Sequence, residues 1–273
     1  MIFPDLQMLV LAVLVFVPLE RIFALRHEQG PLRNLWKLDT LYLLVNGTLI
    51  GFGSKAVLFL GLLLIGWLVP VALQAWVSSQ PVWLQLPFLI ILADLGFYSA
   101  HRMFHAVPWL WKFHSVHHSI EDMDWLAAHR VHPLDQSLTH GASFLPILAL
   151  GFSTSAIVVY GVLYHWQSLF IHSNIKIELG PLGRIFASPR FHHWHHANHP
   201  EAFDKNFAGQ LSFLDAIFGT LHMPAEKMPE RYGTDAALPP TYVGQLLYPL
   251  QPSVPAPQDA VQTSDLSGLR RQP

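Results

Sequence analysis

Cysteine is absent from these 273 residues. That excludes disulfides, thiolate metal sites, cysteine-ligated iron–sulfur clusters and cysteine nucleophiles, and leaves the redox compartment open. Charge is scarce too. Asp, Glu, Lys and Arg make up 12% of the chain, about half the roughly 25% usual for a soluble domain. The formal net charge is −2 and no basic run occurs, so nothing points to nucleic acid. The sequence holds neither H-E-x-x-H nor Glu-x-x-His, the patterns of zinc metalloproteases and of soluble di-iron bundles. No internal repeat is present beyond a reused histidine spacing. What the chain has instead is apolar residues, 52% of the total, gathered into runs long enough to read as a membrane protein.

Leu6 to Leu25 is the first run. A cleaved leader would open on positive charge, but the only early charge is Asp5, so a retained anchor is expected. Arg21, Arg26, Arg33 and Lys37 then mark a segment facing the cytoplasm. Leu41 to Val77 exceeds one span of about 20 residues. It is either one long tilted helix with an extension or a hairpin turning near Gly53-Ser54-Lys55. Ser78 to Pro81 is a turn, and Trp83 to Ala100 is a further span running into His101. Ala142 to Ile171, with a turn at Gly151-Phe152-Ser153-Thr154, reads as a hairpin that enters the membrane and returns.

The expected fold is therefore an all-α, integral-membrane helical bundle of about four spans, one of them a hairpin, under a histidine-rich di-metal cap. Residues 1–100 would hold the N-terminal membrane helices and 101–222 the histidine-box catalytic region with its hairpin near 142–172. Residues 223–273 form a C-terminal extension, expected to be disordered from about residue 251, where Pro, Gln and Ser dominate. Apart from Lys55, every lysine and arginine falls on the histidine side, which places the boxes in the cytoplasm.

Three histidine boxes organise the chain. His101 and His105 are four apart. His114, His117 and His118 follow H-x-x-H-H, and His192, His195 and His196 repeat it. Helical residues three and four apart share a face, so each box can aim its rings at one point. Eight converging nitrogens exceed the four of a tetrahedral ion, which suggests two metals. His172, at the mouth of the hairpin and seven residues after His165, is a candidate ninth ligand. Asp94, Tyr98, His101 and His105 form one helical stripe. Asp94 is either an outer hydrogen-bond partner of a ligand histidine or a packing aspartate. Tyr98, His132 and His165 are further candidates behind the ligands, and the acidic run Ile120 to Asp124 is expected to be a solvated turn. Imidazole suits zinc, copper, iron and nickel alike. Iron is favoured because the ligands are more than twice what a zinc hydrolase needs, and because two redox metals can share the electrons that split dioxygen.

The segments HRMFH, HSVHHS, HPLD, IHSN, SPRFHHWHH, DKNFAG and DAIFGT, in that order between about Asp94 and Thr220, resemble the fatty acid hydroxylase / sterol desaturase superfamily of integral-membrane di-iron enzymes. The resemblance implies dioxygen-dependent hydroxylation or desaturation of a lipid C–H bond. It implies two iron ions held by His101, His105, His114, His117, His118, His192, His195 and His196. His172 stands where relatives often place a further histidine, while His193 falls outside the spacing. The third box and DKNFAG are also similar to alkylglycerol monooxygenases. Those carry a glutamate just after the first box, where this chain has Ala106, which counts against a pterin-dependent ether-cleaving role. No haem-binding domain is fused, so electrons would come from a separate electron-transfer protein or reductase.

Two other classes compete. A zinc-dependent membrane hydrolase would need a water-activating base beside the metal, and H-E-x-x-H is missing. A metal transporter or sensor would line a path through several spans with polar groups, whereas these histidines crowd one side of apolar spans.

Overall fold

The computed structural model describes residues 6–224 and 227–252. Ten helices follow one another: α1 (Leu6–Ile22), α2 (Trp36–Ile65), α3 (Val71–Ser79), α4 (Val82–Ala106), α5 (Pro108–His118), α6 (Pro133–Ala149), α7 (Thr154–His172), α8 (Pro189–His195), α9 (Phe213–Phe218) and α10 (Tyr242–Leu247). Among the described residues there is no β-strand, only the isolated bridges Ala24–Ile175 and Ala197–Tyr232. The all-helical expectation holds.

The long apolar run after Leu41 is a single helix, not a hairpin at Gly53. Two of its glycines, Gly53 and Gly61, are contact points for α6. A Cβ on Gly53 would strike Ser137, one on Gly61 would sit 2.8 Å from Leu145, and one on Gly141 would strike Val57. Small residues at such spacings let two backbones approach closely where burial of apolar surface cannot drive them together. The break comes later, at Gly66 to Pro70, where Val69 turns extended ahead of proline. Gly96 plays the same part between α4 and α6, facing the backbone of Ala142.

Helices α6 and α7 form the expected hairpin. Gly151 takes φ 78° at the turn, and Ser153 caps α7 by accepting from Ala156 N at 3.3 Å. The tip reaches α3, since a Cβ on Gly151 would lie 2.8 Å from Gln74 Cα. It also meets the start of α4, where Gln85 Oε1 accepts from Ser153 N at 2.9 Å. Thus α2, α4, α6 and α7 run side by side over a similar depth. Among the described residues, two helices are long and apolar enough to cross a membrane, Trp36–Leu68 and Val82–Ala106. The first exposes Leu44, Leu49, Phe52, Phe59, Leu60, Leu63, Leu64 and Trp67, an apolar surface suited to lipid rather than water.

At 17 residues, about 26 Å at 1.5 Å per residue, α1 is short for a full span. It packs Ala12 and Phe16 against Leu43, Trp125, Leu126 and Leu169. Its buried Glu20 accepts from Trp125 N at 2.8 Å and Asn174 N at 3.0 Å, tying the helix end to the cap.

The acidic run does not form the solvated turn expected. Glu121 is exposed, but Asp124 is buried. Its carboxylate caps the helical turn at 125–129, accepting from Ala127 N at 2.9 Å, and pairs with Arg33 at 2.8 Å. Arg33 also pairs with Asp39, which in turn takes Arg130. Four buried charges are tolerable here because each is paired.

Residues 227–252 return as a strap across the cap. Tyr42 Oη donates to Gln245 Oε1 at 2.9 Å and Tyr242 Oη to Asn46 Oδ1 at 2.8 Å, holding α10 against α2. The disorder expected from about residue 251 falls almost wholly outside the described residues.

Candidate metal centre

Four helix ends deliver the histidines. His101 and His105 lie on the last turns of α4, and Pro108 starts α5 at once after the extended Val107. His114, His117 and His118 close α5, and His172 closes α7. In α8, Ser188 Oγ accepts from Phe191 N at 3.2 Å and Pro189 fills the first helical position, which fixes the third box.

The nine candidate ligands fall into two groups. His101, His105, His114, His118 and His195 form one, and His117, His172, His192 and His196 the other; within each group the ligand atoms lie within 4.8 Å of one another. The groups touch: the His118 and His196 rings are 4.6 Å apart, and the His192 and His195 rings 5.3 Å.

The donor set fits metal ions. His101 Nδ1 donates to Phe207 O at 2.7 Å, and His114 Nδ1 meets Asp135 Oδ2 at 2.8 Å. His117 Nδ1 donates to Arg130 O at 3.0 Å, His172 Nδ1 to Ser168 O at 2.7 Å and His195 Nδ1 to Lys205 O at 2.8 Å. A neutral imidazole that donates from Nδ1 has a bare lone pair on Nε2. Yet His101 and His114 face each other Nε2 to Nε2 at 2.9 Å, and His117 and His172 at 3.1 Å. With the rings neutral, neither pair has a proton to share, and a cation beside them removes the repulsion. His105 Nε2 is likewise buried with no hydrogen-bond partner.

Protonation is not the alternative. Burial first, then repulsion from His114, pushes His117 down to about 4. Burial and neighbouring histidines hold His118, His192, His195 and His196 well below the ordinary histidine range. These five rings are kept neutral, the form that ligates.

The loop at 204–209 supplies two of the carbonyls. Asp215 accepts from Phe207 N at 2.8 Å and Ala208 N at 2.9 Å. Asp94 accepts from Gly209 N at 2.8 Å, Gln210 N at 3.1 Å and Leu211 N at 2.6 Å. Asn206, at φ 58°, donates to Phe191 O at 2.8 Å and His222 O at 2.7 Å. So pinned, the loop holds Phe207 O and Lys205 O against His101 and His195.

The outer candidates lie elsewhere. Asp94 touches no histidine and acts on the loop instead. Tyr98 Oη pairs with Thr220 Oγ1 at 2.9 Å. His132 caps α6 and faces Leu246 O at 3.1 Å. His165 neighbours His129, outside both groups. His193 pairs with Tyr232 Oη at 2.8 Å, also outside. Asp135 does meet a grouped histidine, His114, and Asp204 Oδ1 lies 3.4 Å from His105 Nδ1; neither is among the candidates read from the sequence, although Asp135 ends the HPLD segment, three residues after His132. The Asp39–Arg130 pair, one step behind His117, carries no local signal because its members are 91 residues apart.

A cavity of about 490 Å³ opens beside the first group. It is lined by His105, His118 and His195, by Pro108, Trp111, Ala197 and Phe203, and by Asn198, Asp204, Gly233, Thr234, Asp235 and Ala236.

The family model for fatty acid hydroxylases matches residues 86–220, a region that holds all nine histidines. Ornithine lipid hydroxylase OlsE of Rhizobium tropici is 28% identical over 174 residues, covering 64% of this chain and 53% of the relative. The alkylglycerol monooxygenase of Danio rerio is 36% identical over 156 residues, covering 56% and 33%. Methylsterol monooxygenase 1 of Gallus gallus is 27% identical over 132 residues, covering 48% and 43%. The chain thus spans between a third and about half of the length of these relatives. No solved structure matches it.

Proposed function

We propose that this protein is a membrane di-iron oxygenase that hydroxylates a C–H bond of a lipid, using dioxygen and electrons from a separate donor protein. The observation that carries the reading is the pair of buried histidine groups whose inner nitrogens face one another with no proton between them. His101, His105, His114, His118 and His195 would hold one iron, and His117, His172, His192 and His196 the other. Iron bound there supplies the redox chemistry by which dioxygen is reduced and the C–H bond oxidised.

The chain's own part is structural and electrostatic. Phe207 O, Lys205 O, Arg130 O, Ser168 O and Asp135 fix the ring tautomers and aim the inner nitrogens. Burial keeps the rings neutral. The cavity beside His105, His118 and His195 offers the substrate a place next to the first group. The names of the relatives, a hydroxylase and two kinds of monooxygenase, favour hydroxylation over desaturation.

We further infer a membrane placement with α2, α4, α6 and α7 as four spans and α1 lying along them. The histidine boxes would face the cytoplasm, as the lysine and arginine distribution suggests. The unit from 101 to 222 would be catalytic, the first hundred residues its membrane support.

Cleavage of an alkylglycerol ether is the second reading, supported by the 36% identity to one such enzyme and opposed by Ala106. The test is metal counting in detergent-purified protein, followed by oxygen consumption with extracted lipid. About two irons per chain and a product one oxygen heavier support the proposal. Folded protein that takes up no metal after iron reconstitution refutes it. Ether cleavage instead of lipid hydroxylation would move the chain to the second reading.

A further inference from the structure

We infer that the cavity beside the histidines receives the polar head of the lipid and selects a head that donates hydrogen bonds and lacks phosphate, such as a hydroxyl or an ammonium. The inference rests on the lipid-oxygenase reading of the adjacent centre.

The cavity has two kinds of wall. Pro108 and Trp111, where α4 ends and α5 begins, give apolar surface at the level at which the apolar span stops, and Phe203 adds to it from the loop after α8. Met103, Val107 and Trp109, on the same elbow, are exposed, as an interfacial belt would be. Asn198, Asp204, Thr234 and Asp235 line the cavity as well, and no lysine or arginine does. Between the two kinds of wall lies His105, whose side chain is 7% exposed and whose Nε2 has no partner within the protein. An amphipathic molecule therefore has one orientation here. Its apolar part lies along the elbow, its head among the acceptors, and the carbons next to the head lie nearest to His105, His118 and His195.

The acceptors decide which head. Two carboxylates, an amide and a hydroxyl satisfy a donor group, whereas a phosphate in that wall would meet the like charge of Asp204 and Asp235 with no lysine or arginine to offset it. Asp204 is 72% exposed and Asp235 is also exposed, so solvent screens part of the repulsion. The discrimination should be near tenfold rather than absolute.

The strap sets this outer wall. Asn198 N donates to Arg231 O at 2.9 Å, and Asn198 Nδ2 to Asp235 Oδ1 at 2.9 Å, which fastens residues 233–236 over the cavity mouth. These residues lie beyond the family-matched region 86–220. Head selection can therefore vary in this wall while the histidine centre stays fixed.

Three probes with one tail test the inference: hexadecanol, hexadecylamine and hexadecyl phosphate. Their equilibrium binding to iron-loaded, detergent-purified protein would be measured by native mass spectrometry, and their oxidation would be assayed separately. The alcohol and the amine should each bind roughly tenfold tighter than the phosphate. Asp235→Lys should erase or reverse that ratio. Ala236→Trp, which fills the mouth, should weaken all three while iron content stays at the wild-type value. Equal binding of the three heads to wild-type protein would overturn the inference, and so would wild-type binding in both variants. If the binding order holds but no probe or extracted lipid is oxidised, the oxygenase reading fails and the head pocket stands. Oxidation without the binding order leaves the oxygenase and removes the pocket.

Discussion

Asp135 offers the sharpest test of how the chain prepares its histidines. Its carboxylate is buried, 2.8 Å from His114 Nδ1, and Thr139 Oγ1 donates to its other oxygen at 3.3 Å. A carboxylate there holds the proton on Nδ1 and leaves Nε2 bare. In Asp135→Asn the side-chain amide can donate to Nδ1 instead, which moves the ring proton to Nε2 and blocks that ligand. Losing an outer partner of this kind typically costs roughly 10–100-fold in metal affinity, or about 1.4–2.7 kcal/mol. A merely structural role is smaller. An acidic residue in the first turn of a helix such as α6 contributes about 0.3–1 kcal/mol through the helix dipole, and it would do so without touching metal. Metal titration against a competing chelator separates the two. Asp135→Asn should lose about one metal per chain early while the second is released at the wild-type chelator concentration, because the four-histidine group does not contact Asp135. Asp135→Glu should restore part of the loss. Wild-type retention of both metals in Asp135→Asn, or simultaneous loss of both as the helices melt, would refute the reasoning.

Other expectations follow from the same geometry. His117→Ala and His195→Ala, one from each group, should abolish lipid oxidation while the protein remains in the membrane fraction; full activity in either variant would remove that residue from the ligand set. The metal-free protein should weaken in acid. His117 is depressed to about 4 from 6.5, so between those values the unfolded chain binds a proton that the folded chain refuses, and stability falls as pH drops. At about 1.4 kcal/mol per unit, this ring alone is worth up to about 3 kcal/mol, visible as a falling melting midpoint below pH 6.5. A midpoint flat from pH 7 to 4 would contradict the neutral, buried state of these rings. Gly96→Val should lower the melting midpoint by an amount corresponding to about 1–3 kcal/mol of overpacking, since any Cβ there meets the backbone of Ala142; an unchanged midpoint would mean that α4 and α6 do not pack this tightly.

Side-chain spacing made the convergence of the eight box histidines legible, because a helix converts spacing into direction. The outer partners of the candidate ligands are mostly backbone carbonyls, at Arg130, Ser168, Lys205 and Phe207, which carry no residue-type signal at all. Asp94 shared a helical stripe with His101 and His105, and the stripe is real. The carboxylate nonetheless turns to three backbone N–H groups 115 to 117 residues away, a long-range fact that no local pattern records. The glycines of α2 left one long helix and a hairpin both open, because glycine is the commonest breaker; Gly53 and Gly61 face α6, and only the partner helix reveals that. Asp124 misled for a similar reason. A short acidic run is usually solvated, but Arg33 waits across the fold.

The reuse of H-x-x-H-H explains how so few helices bind two groups. At about 100° per residue, positions i and i+4 point about 40° apart, whereas i+3 diverges by about 60° on the other side of i. His114 and His118 accordingly join the five-member group while His117 joins the four-member one; His192 and His196 join the four-member group while His195 crosses to the five. A box with only i and i+4 has no such divergence, and His101 and His105 both serve the five-member group. Helices α5 and α8 therefore stand between the two groups, with α4 on one side and α7, through His172, on the other. Disturbance should propagate accordingly. A displacement of α4, as in Gly96→Val, should loosen the metal of the five-histidine group and spare the other. A change that shifts α5, such as loss of the Asp39–Arg130 pair behind His117, should loosen both. If the two variants release their metals in the same pattern, the two groups do not behave as separate sites.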